Sequence, residues 1–235
     1  MADGAGSASE GALGAELAVT SVLRRAQDTF SPLATEESAI AVLRNWVYAA
    51  RIRLEEEAQK RGIGLSDVAT TLLITFVTTR FAAVAQIGDG AIISRDRCGD
   101  IQLLTNMVVG EYVNETTFLT STDTELQVCA WSGEVQQIML FTDGLQRVAL
   151  QWPGPDAHAP FCAPLFDFIA RSSPDLTHEE QVRKFLTSAR IRQRCDDDLT
   201  LVLAHRAESQ TQQYRRDKDL PELGCVERST PCRQS

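Results

Sequence analysis

The sequence lacks three features that would each point to a common class of protein. It has no excess of positive charge, since 23 lysines and arginines stand against 32 acidic residues and the net charge is −9. It has no apolar run near the roughly 18 residues of a membrane span, and no basic signal-peptide segment at its start. Its six cysteines form no Cys-x-x-Cys pair. We therefore expect no nucleic-acid or membrane partner, no zinc or dithiol site, and reduced thiols in a cytoplasmic protein.

The first half of the chain changes from helical to extended patterning. Apolar spacing of three and four residues predicts helices over residues 9–30 and 35–60. Enrichment in Thr, Val, Ile and Phe then predicts adjacent antiparallel strands over residues 67–79 and 80–95. Shorter strands are expected over residues 100–105, 115–120, 125–131 and 134–142, with a hairpin turn at Trp131–Glu134.

The second half is expected to return to helices and close with one strand. Helices are predicted near residues 161–172 and 178–190, and the apolar run Leu199–Ala204 predicts a central strand. Residues 207–235 are rich in Gln, Arg and Glu, which is typical of a disordered tail. The element order predicts an α+β fold with helices packed on the faces of antiparallel sheets.

Four aspartates stand beside predicted strands. Asp3, Asp89 and Asp143 are each followed by glycine, and Asp197 lies in an acidic triplet before the last strand. Each Asp-Gly pair alone is also a common turn dipeptide. Carboxylates at strand ends can converge at one edge of a sheet, where their oxygens suit Mg²⁺ or Mn²⁺. The set therefore favours a metal-dependent hydrolase, in which the ions activate a water molecule.

Six motifs, taken in order, resemble those of the metal-dependent protein serine/threonine phosphatases of type 2C (the PPM family), in particular the bacterial subgroup. The motifs are Ala2–Ala8, Ala69–Leu73, Gln86–Ala91, Gly110–Thr116, Leu140–Leu145 and Asp197–Val202. Their joint order is far more specific than any one of them. The resemblance implies a four-layer αββα sandwich and hydrolysis of phosphoserine and phosphothreonine in proteins.

The resemblance also implies a site with two Mn²⁺ or Mg²⁺ ions and a weaker third. Carried over by position, Asp3 would bridge both ions and the Gly4 carbonyl would hold one of them. Asp143 and Asp197 would complete the ligands of the other ion, and Asp89 would help to hold the third. Phosphorylated proteins would be the substrates, and a cognate serine/threonine kinase would be a further partner.

The start of the chain departs from the family pattern. Family members carry an upstream strand with a phosphate-binding arginine and a further acidic residue, whereas Met1 and Ala2 stand here where that strand should end. We therefore expect a phosphatase-like domain over residues 1–206 without its first strand. The alternative is a catalytically inactive domain that binds phosphoproteins or regulatory partners. A calcium-binding module is less well supported, because Asp196–Asp198 lacks the alternating Asp-x-Asp pattern.

Overall fold

The computed structural model describes residues 1–28, 35–106, 116–153, 155–171, 176–195 and 197–207. The helices within these residues are α1 Gly11–Asp28, α2 Glu36–Arg61, α3 Gln146–Ala149, α4 Ala159–Ala170, α5 Leu176–Leu186 and α6 Ala189–Arg192. The strands are β1 Leu72–Val77, β2 Phe81–Ile87, β3 Ala91–Asp96, β4 Ile101–Leu103, β5 Gln127–Ser132, β6 Val135–Phe141, β7 Leu150–Gln151, β8 Asp156–Ala157 and β9 Leu201–His205.

The strands form two main antiparallel sheets. The first sheet has the order β1-β2-β5 and the second the order β4-β3-β6-β9, while β7 and β8 form a separate hairpin. The connection from β2 to β3 leaves the first sheet and enters the second. Each sheet therefore combines strands that are neighbours in the sequence with one strand, β5 or β9, that joins from much further along the chain.

Side chains that alternate along the strands build three hydrophobic cores. In β6, Ile138 and Leu140 pack between the two sheets, whereas Met139 and Phe141 face the opposite way, toward α4. In β2, Val84 joins the core between the sheets, and its neighbours face α1 and α2. The period-two alternation places one core between the sheets and one under each helical layer. The predicted four-layer αββα sandwich is confirmed.

Helix α2 has a defined beginning and end, and it anchors a loop. Thr35 caps its start by accepting a hydrogen bond from the Ser38 N–H at 3.2 Å. Gly62 ends it in the left-handed conformation, with φ of 68°. Midway along it, Arg51 donates to the carbonyl oxygens of Leu119 and Ser121 at 3.0 and 2.7 Å. This guanidinium fixes the loop before β5 onto the helix.

Two predicted strands differ from the structure. The segment 80–95 is not one strand, because residues 88–90 divide it into β2 and β3 of different sheets. Its glycines and the turn at Asp89 break the ladder. Residues 116–120, the described part of the segment 115–120, form no strand.

Two predicted positions in the sheets are also wrong. Trp131–Glu134 is not a hairpin, because β5 pairs with β2 while β6 pairs with β3 and β9. The final strand is an edge strand and not a central one. Its residues alternate between half-buried and exposed positions, so its apolar character reflects one packed face. The predicted tail, from residue 208 onward, lies outside the described residues.

The cysteines and the helices bear on two further expectations. Cys129, Cys162 and Cys195 are buried and form no disulfide, as expected, but Cys98 is disulfide-bonded. Burial raises the pKa of Cys162 to about 12, so this thiol is unreactive at neutral pH. Among the described helices, none is long and apolar enough to cross a membrane.

Candidate functional site

The first residues of the chain form a short ladder along the edge of the first sheet. The Met1 carbonyl accepts a hydrogen bond from the Leu73 N–H at 2.8 Å, and the Asp3 carbonyl accepts one from the Thr71 N–H at 2.8 Å. Gly4 forms an isolated antiparallel bridge with Thr70. A Cβ on Gly4 would lie 2.4 Å from the backbone of α1, so only glycine allows this approach. The backbone on both sides of the Asp3 side chain is therefore fixed.

Two glutamine side chains hold the loop that carries Asp89. Gln86, buried in β2, donates from its amide nitrogen to the carbonyl oxygens of Gly88 and Gly90, both at 3.0 Å. From the other side, Gln146 of α3 donates to the Asp89 carbonyl at 2.5 Å. Thr116 donates its hydroxyl to the Asp89 carboxylate at 2.8 Å. Side chains of β2, of α3 and of the segment at Thr116 thus set the position of Asp89.

Asp143 follows β6 at the point where the chain meets the loop before β9. The Thr200 N–H donates to the Thr142 hydroxyl at 3.2 Å, which ties the two segments together. A Cβ on Gly144 would lie 2.4 Å from the carbonyl oxygen of Asp198. Glycine after Asp143 is therefore required by a close backbone contact, in addition to any turn preference. This contact brings Asp143 beside the acidic segment of the last loop.

Burial and neighbouring aspartates raise the pKa of Asp3 and of Asp143. Burial raises the pKa of Asp3, and the negative charges of Asp197, Asp198 and Asp89 raise it further. Burial raises the pKa of Asp143 to about 6, and the charges of Asp89, Asp197 and Asp3 contribute to the rise. Like charges oppose ionisation in this way only when they lie close together. The structure therefore gathers Asp3, Asp89, Asp143 and Asp197 at one end of the two sheets, with Gly4 beside them.

The carboxylates do not surround one point as they stand. Among the described residues, no three His, Cys, Asp or Glu side chains converge closely enough to hold a metal ion. Asp143 accepts a hydrogen bond from the Gly144 N–H, and Asp197 accepts one from the Asp198 N–H, both at 2.8 Å. Rotation of the side chains would be needed for three of them to share an ion.

The chemistry of the cluster fits a hard divalent cation. The ion pairs of the described part of the chain include none of Asp3, Asp89, Asp143 and Asp197. Asp3, Asp89 and Asp143 are partly buried and Asp197 is exposed. Carboxylates gathered without a compensating side-chain cation create a negative potential, and their oxygens are the ligands that Mg²⁺ and Mn²⁺ prefer. The donor set therefore matches the ions predicted from the sequence.

Sequence reasoning did not identify four residues of this region: Gln86, Thr116, Gln146 and Asp198. Gln86 carries a readable signal, because it is the one polar residue in the apolar strand Phe81–Ile87. Gln146 and Thr116 contact Asp89 only through the fold, so no local pattern reveals them. The signature Gly110–Thr116 could not be followed, since residues 107–115 lie outside the described residues.

Comparisons with known proteins give one consistent result. The family model described as Protein phosphatase 2C matches residues 1–187. Serine/threonine-protein phosphatase 3 of Escherichia coli (strain K12) is 34% identical over 213 residues, which cover 88% of this chain and 83% of that protein.

Solved structures support the same fold. The serine/threonine phosphatase Stp1 from Staphylococcus aureus superposes with a TM-score of 0.60 at 15% identity, covering 88% of this chain and 82% of that one. The catalytic domain of the phosphatase PstP, in complex with two manganese ions, superposes with a TM-score of 0.58 at 17% identity, covering 87% and 85%. At such identities, these two structures bear on the fold alone. The family match and the 34% identical relative show that the chain belongs to the protein phosphatase 2C family of serine/threonine protein phosphatases.

Proposed function

We propose that this protein hydrolyses phosphoserine and phosphothreonine in proteins and depends on Mn²⁺ or Mg²⁺. The observation that carries the proposal is the group of aspartates at one end of the sheets, whose negative charges raise the pKa of Asp3 and of Asp143. The manganese-bound PstP domain, which shares the fold, adds support for metal dependence. The proposal places the protein in the cytoplasm, opposite a serine/threonine kinase that would produce its substrates.

The proposed ligands are those that the family motifs mark. Asp3, with the Gly4 carbonyl, would contribute from the first sheet, and Asp143 and Asp197 from the second. Asp89 would help to hold a weaker third ion. Two bound ions would supply polarisation of the phosphoryl oxygens and activation of a water molecule for attack.

The residues of this chain have a second task, which is to place the carboxylates accurately. The ladder at Asp3, the amide contacts around Asp89 and the Gly144 backbone contact each fix one part of the site. Ligands that are held in advance lose little entropy when an ion binds. Because side-chain rotation is still required, ion binding and side-chain ordering are coupled.

A matched pair of variants tests the proposal. Asp197 and Asp156 are both exposed aspartates that accept a hydrogen bond from the following N–H, at 2.8 and 2.7 Å. Only Asp197 lies in the acidic cluster. We expect release of phosphate from a phosphothreonine peptide to require Mn²⁺ and to fall by about 100-fold or more in Asp197→Asn. Asp156→Asn should retain wild-type activity.

The same assay separates the enzyme from the inactive alternative. Binding of the phosphopeptide without turnover, measured at saturating Mn²⁺, would replace the proposed enzyme with a phosphoprotein-binding domain. Equal activity with and without chelator would exclude the metal-dependent reaction.

A further inference from the structure

A cavity lies in the helical layer that covers the second sheet, apart from the acidic cluster. It has a volume of about 440 Å³ and is bounded by α3, α4, α5 and α6. Its walls share no residue with the acidic cluster. Most of the lining is apolar and includes Phe161, Leu165, Phe168 and Phe185. Its volume falls within the range of about 300–1,000 Å³ that is usual for small-molecule sites.

Two arginines give this apolar cavity a positive charge. Arg190 and Arg194 both line it, one helical turn apart. Both are exposed, and in the described part of the chain neither forms an ion pair. The described lining contains no aspartate or glutamate. In a protein whose net charge is −9, a positively charged cavity without an acidic residue is a local exception.

The acidic residues of α5, the helix beside the arginines, have other partners. On α5, Glu179 pairs with Arg183 and Glu180 pairs with Lys184, at 3.1 and 2.9 Å. These i,i+4 pairs satisfy the charges of α5 within the helix itself. The positive charge at the cavity is therefore not neutralised by the neighbouring helix.

We propose that this cavity binds a small amphipathic anion, such as an alkyl or aromatic carboxylate or sulfonate. The apolar body of the ligand would lie among the phenylalanine side chains, where its burial removes apolar surface from water. Its acidic group would contact Arg190 and Arg194, since guanidinium groups form charge-assisted hydrogen bonds with such oxygens. The proposal does not depend on the phosphatase reaction, so either can fail without the other.

Fluorescence titration of the full chain with 8-anilinonaphthalene-1-sulfonate tests the site, and decanoate serves as the competing ligand. The first variant is Arg190→Gln/Arg194→Gln, and its matched control is Arg192→Gln, an exposed arginine of the same helix that does not line the cavity. The second variant is Val182→Trp. Because Val182 lines the cavity, a tryptophan side chain at this position should fill it. Near-UV circular dichroism verifies that each variant retains the fold.

We expect saturable binding that decanoate displaces and that added KCl weakens. The double variant should raise Kd about tenfold, as expected from the loss of charge-assisted hydrogen bonds. Arg192→Gln should change Kd less than about twofold, because a salt-screened surface charge contributes little. Val182→Trp should abolish binding. If Val182→Trp fails to fold, the double variant and its control decide the question.

Three results would overturn the proposal. The first is equal dye binding by the double variant and the wild type, which would indicate nonspecific adsorption. The second is dye binding that decanoate does not displace. The third is a dimer in sedimentation that excludes the dye and dissociates in Phe161→Asp, because the occupant would then be a second copy of the chain.

Discussion

Replacement of Asp143 by asparagine should stabilise the metal-free protein at neutral pH. Burial and three neighbouring aspartates raise the pKa of Asp143 from 3.8 to about 6. Because the pKa of the folded state lies above that of the unfolded state, the folded state binds the proton more tightly. The contribution of the Asp143 carboxyl group to the stability of the folded state is therefore fully present below pH 3.8 and is lost as the pH rises through 6. Above pH 6, the ionised carboxylate opposes folding, and asparagine removes this repulsion.

The size of the effect follows from the pKa shift and from the exposure of the group. A shift of about two units corresponds to at most ~3 kcal/mol. Asp143 is only half buried, so solvent screening reduces this to about 1 kcal/mol. For a chain of this length, such a gain raises Tm by about 2–4 °C. Thermal melts in EDTA at pH 7.5 and pH 5.0 measure it, and the gain should shrink at the lower pH.

The same substitution should have the opposite consequence when Mn²⁺ is present. The wild type should gain stability from the ion, whereas Asp143→Asn should gain much less and lose phosphopeptide hydrolysis, because a neutral amide does not offset a divalent charge. Asp123→Asn, an exposed aspartate outside the acidic cluster, is the control and should match the wild type throughout. A lower Tm of Asp143→Asn in EDTA at pH 7.5, together with retained hydrolysis, would refute both the electrostatic argument and the proposed role.

Three further predictions concern the pH dependence of metal binding, the glutamine that contacts Asp89, and the arginine that fixes the loop before β5. Stabilisation of the wild type by Mn²⁺, measured as the change in Tm, should decrease as the pH falls through about 6, since protons compete for Asp143. Gln146→Ala should weaken Mn²⁺ binding several-fold in a titration followed by Tm, because it releases the Asp89 carbonyl; an unchanged Mn²⁺ affinity would contradict this positioning role. Arg51→Ala should cost about 2 kcal/mol in urea unfolding, since it leaves loop carbonyls without their charged donor, whereas Lys60→Ala, 75% exposed, should cost less than about 0.5 kcal/mol.

Predictions from the sequence are reliable where one local pattern determines the outcome. The helical spacing of residues 35–60 corresponds to α2, because Thr35 and Gly62 are signals that act within one turn. The antiparallel pairing of the segments after residue 67 is also confirmed for β1 and β2. The sheet to which a strand belongs depends on long-range packing, so the assignments at Trp131–Glu134 and Leu199–Ala204 were wrong.

The acidic cluster also depends partly on local patterns and partly on long-range packing. Asp89 and Asp143 follow apolar runs and Asp197 precedes one, whereas the prediction for Asp3 rests on the family motif; the structure places these aspartates near one another. The residues that position them could not be identified in this way. Gln146 contacts the Asp89 carbonyl across 57 positions of sequence, and no period or spacing encodes such a contact.

The origin of the aspartates has a consequence for the kinetics of unfolding. Asp3 extends from the first sheet, Asp143 and Asp197 from the second, and Asp89 lies in the connection between them. Contacts between residues so distant in sequence form late, after both sheets have docked. A cation held by these carboxylates would therefore cross-link the sheets in the native state but not in the transition state. It would slow unfolding and leave the folding rate nearly unchanged, so metal would prolong the lifetime of the native protein.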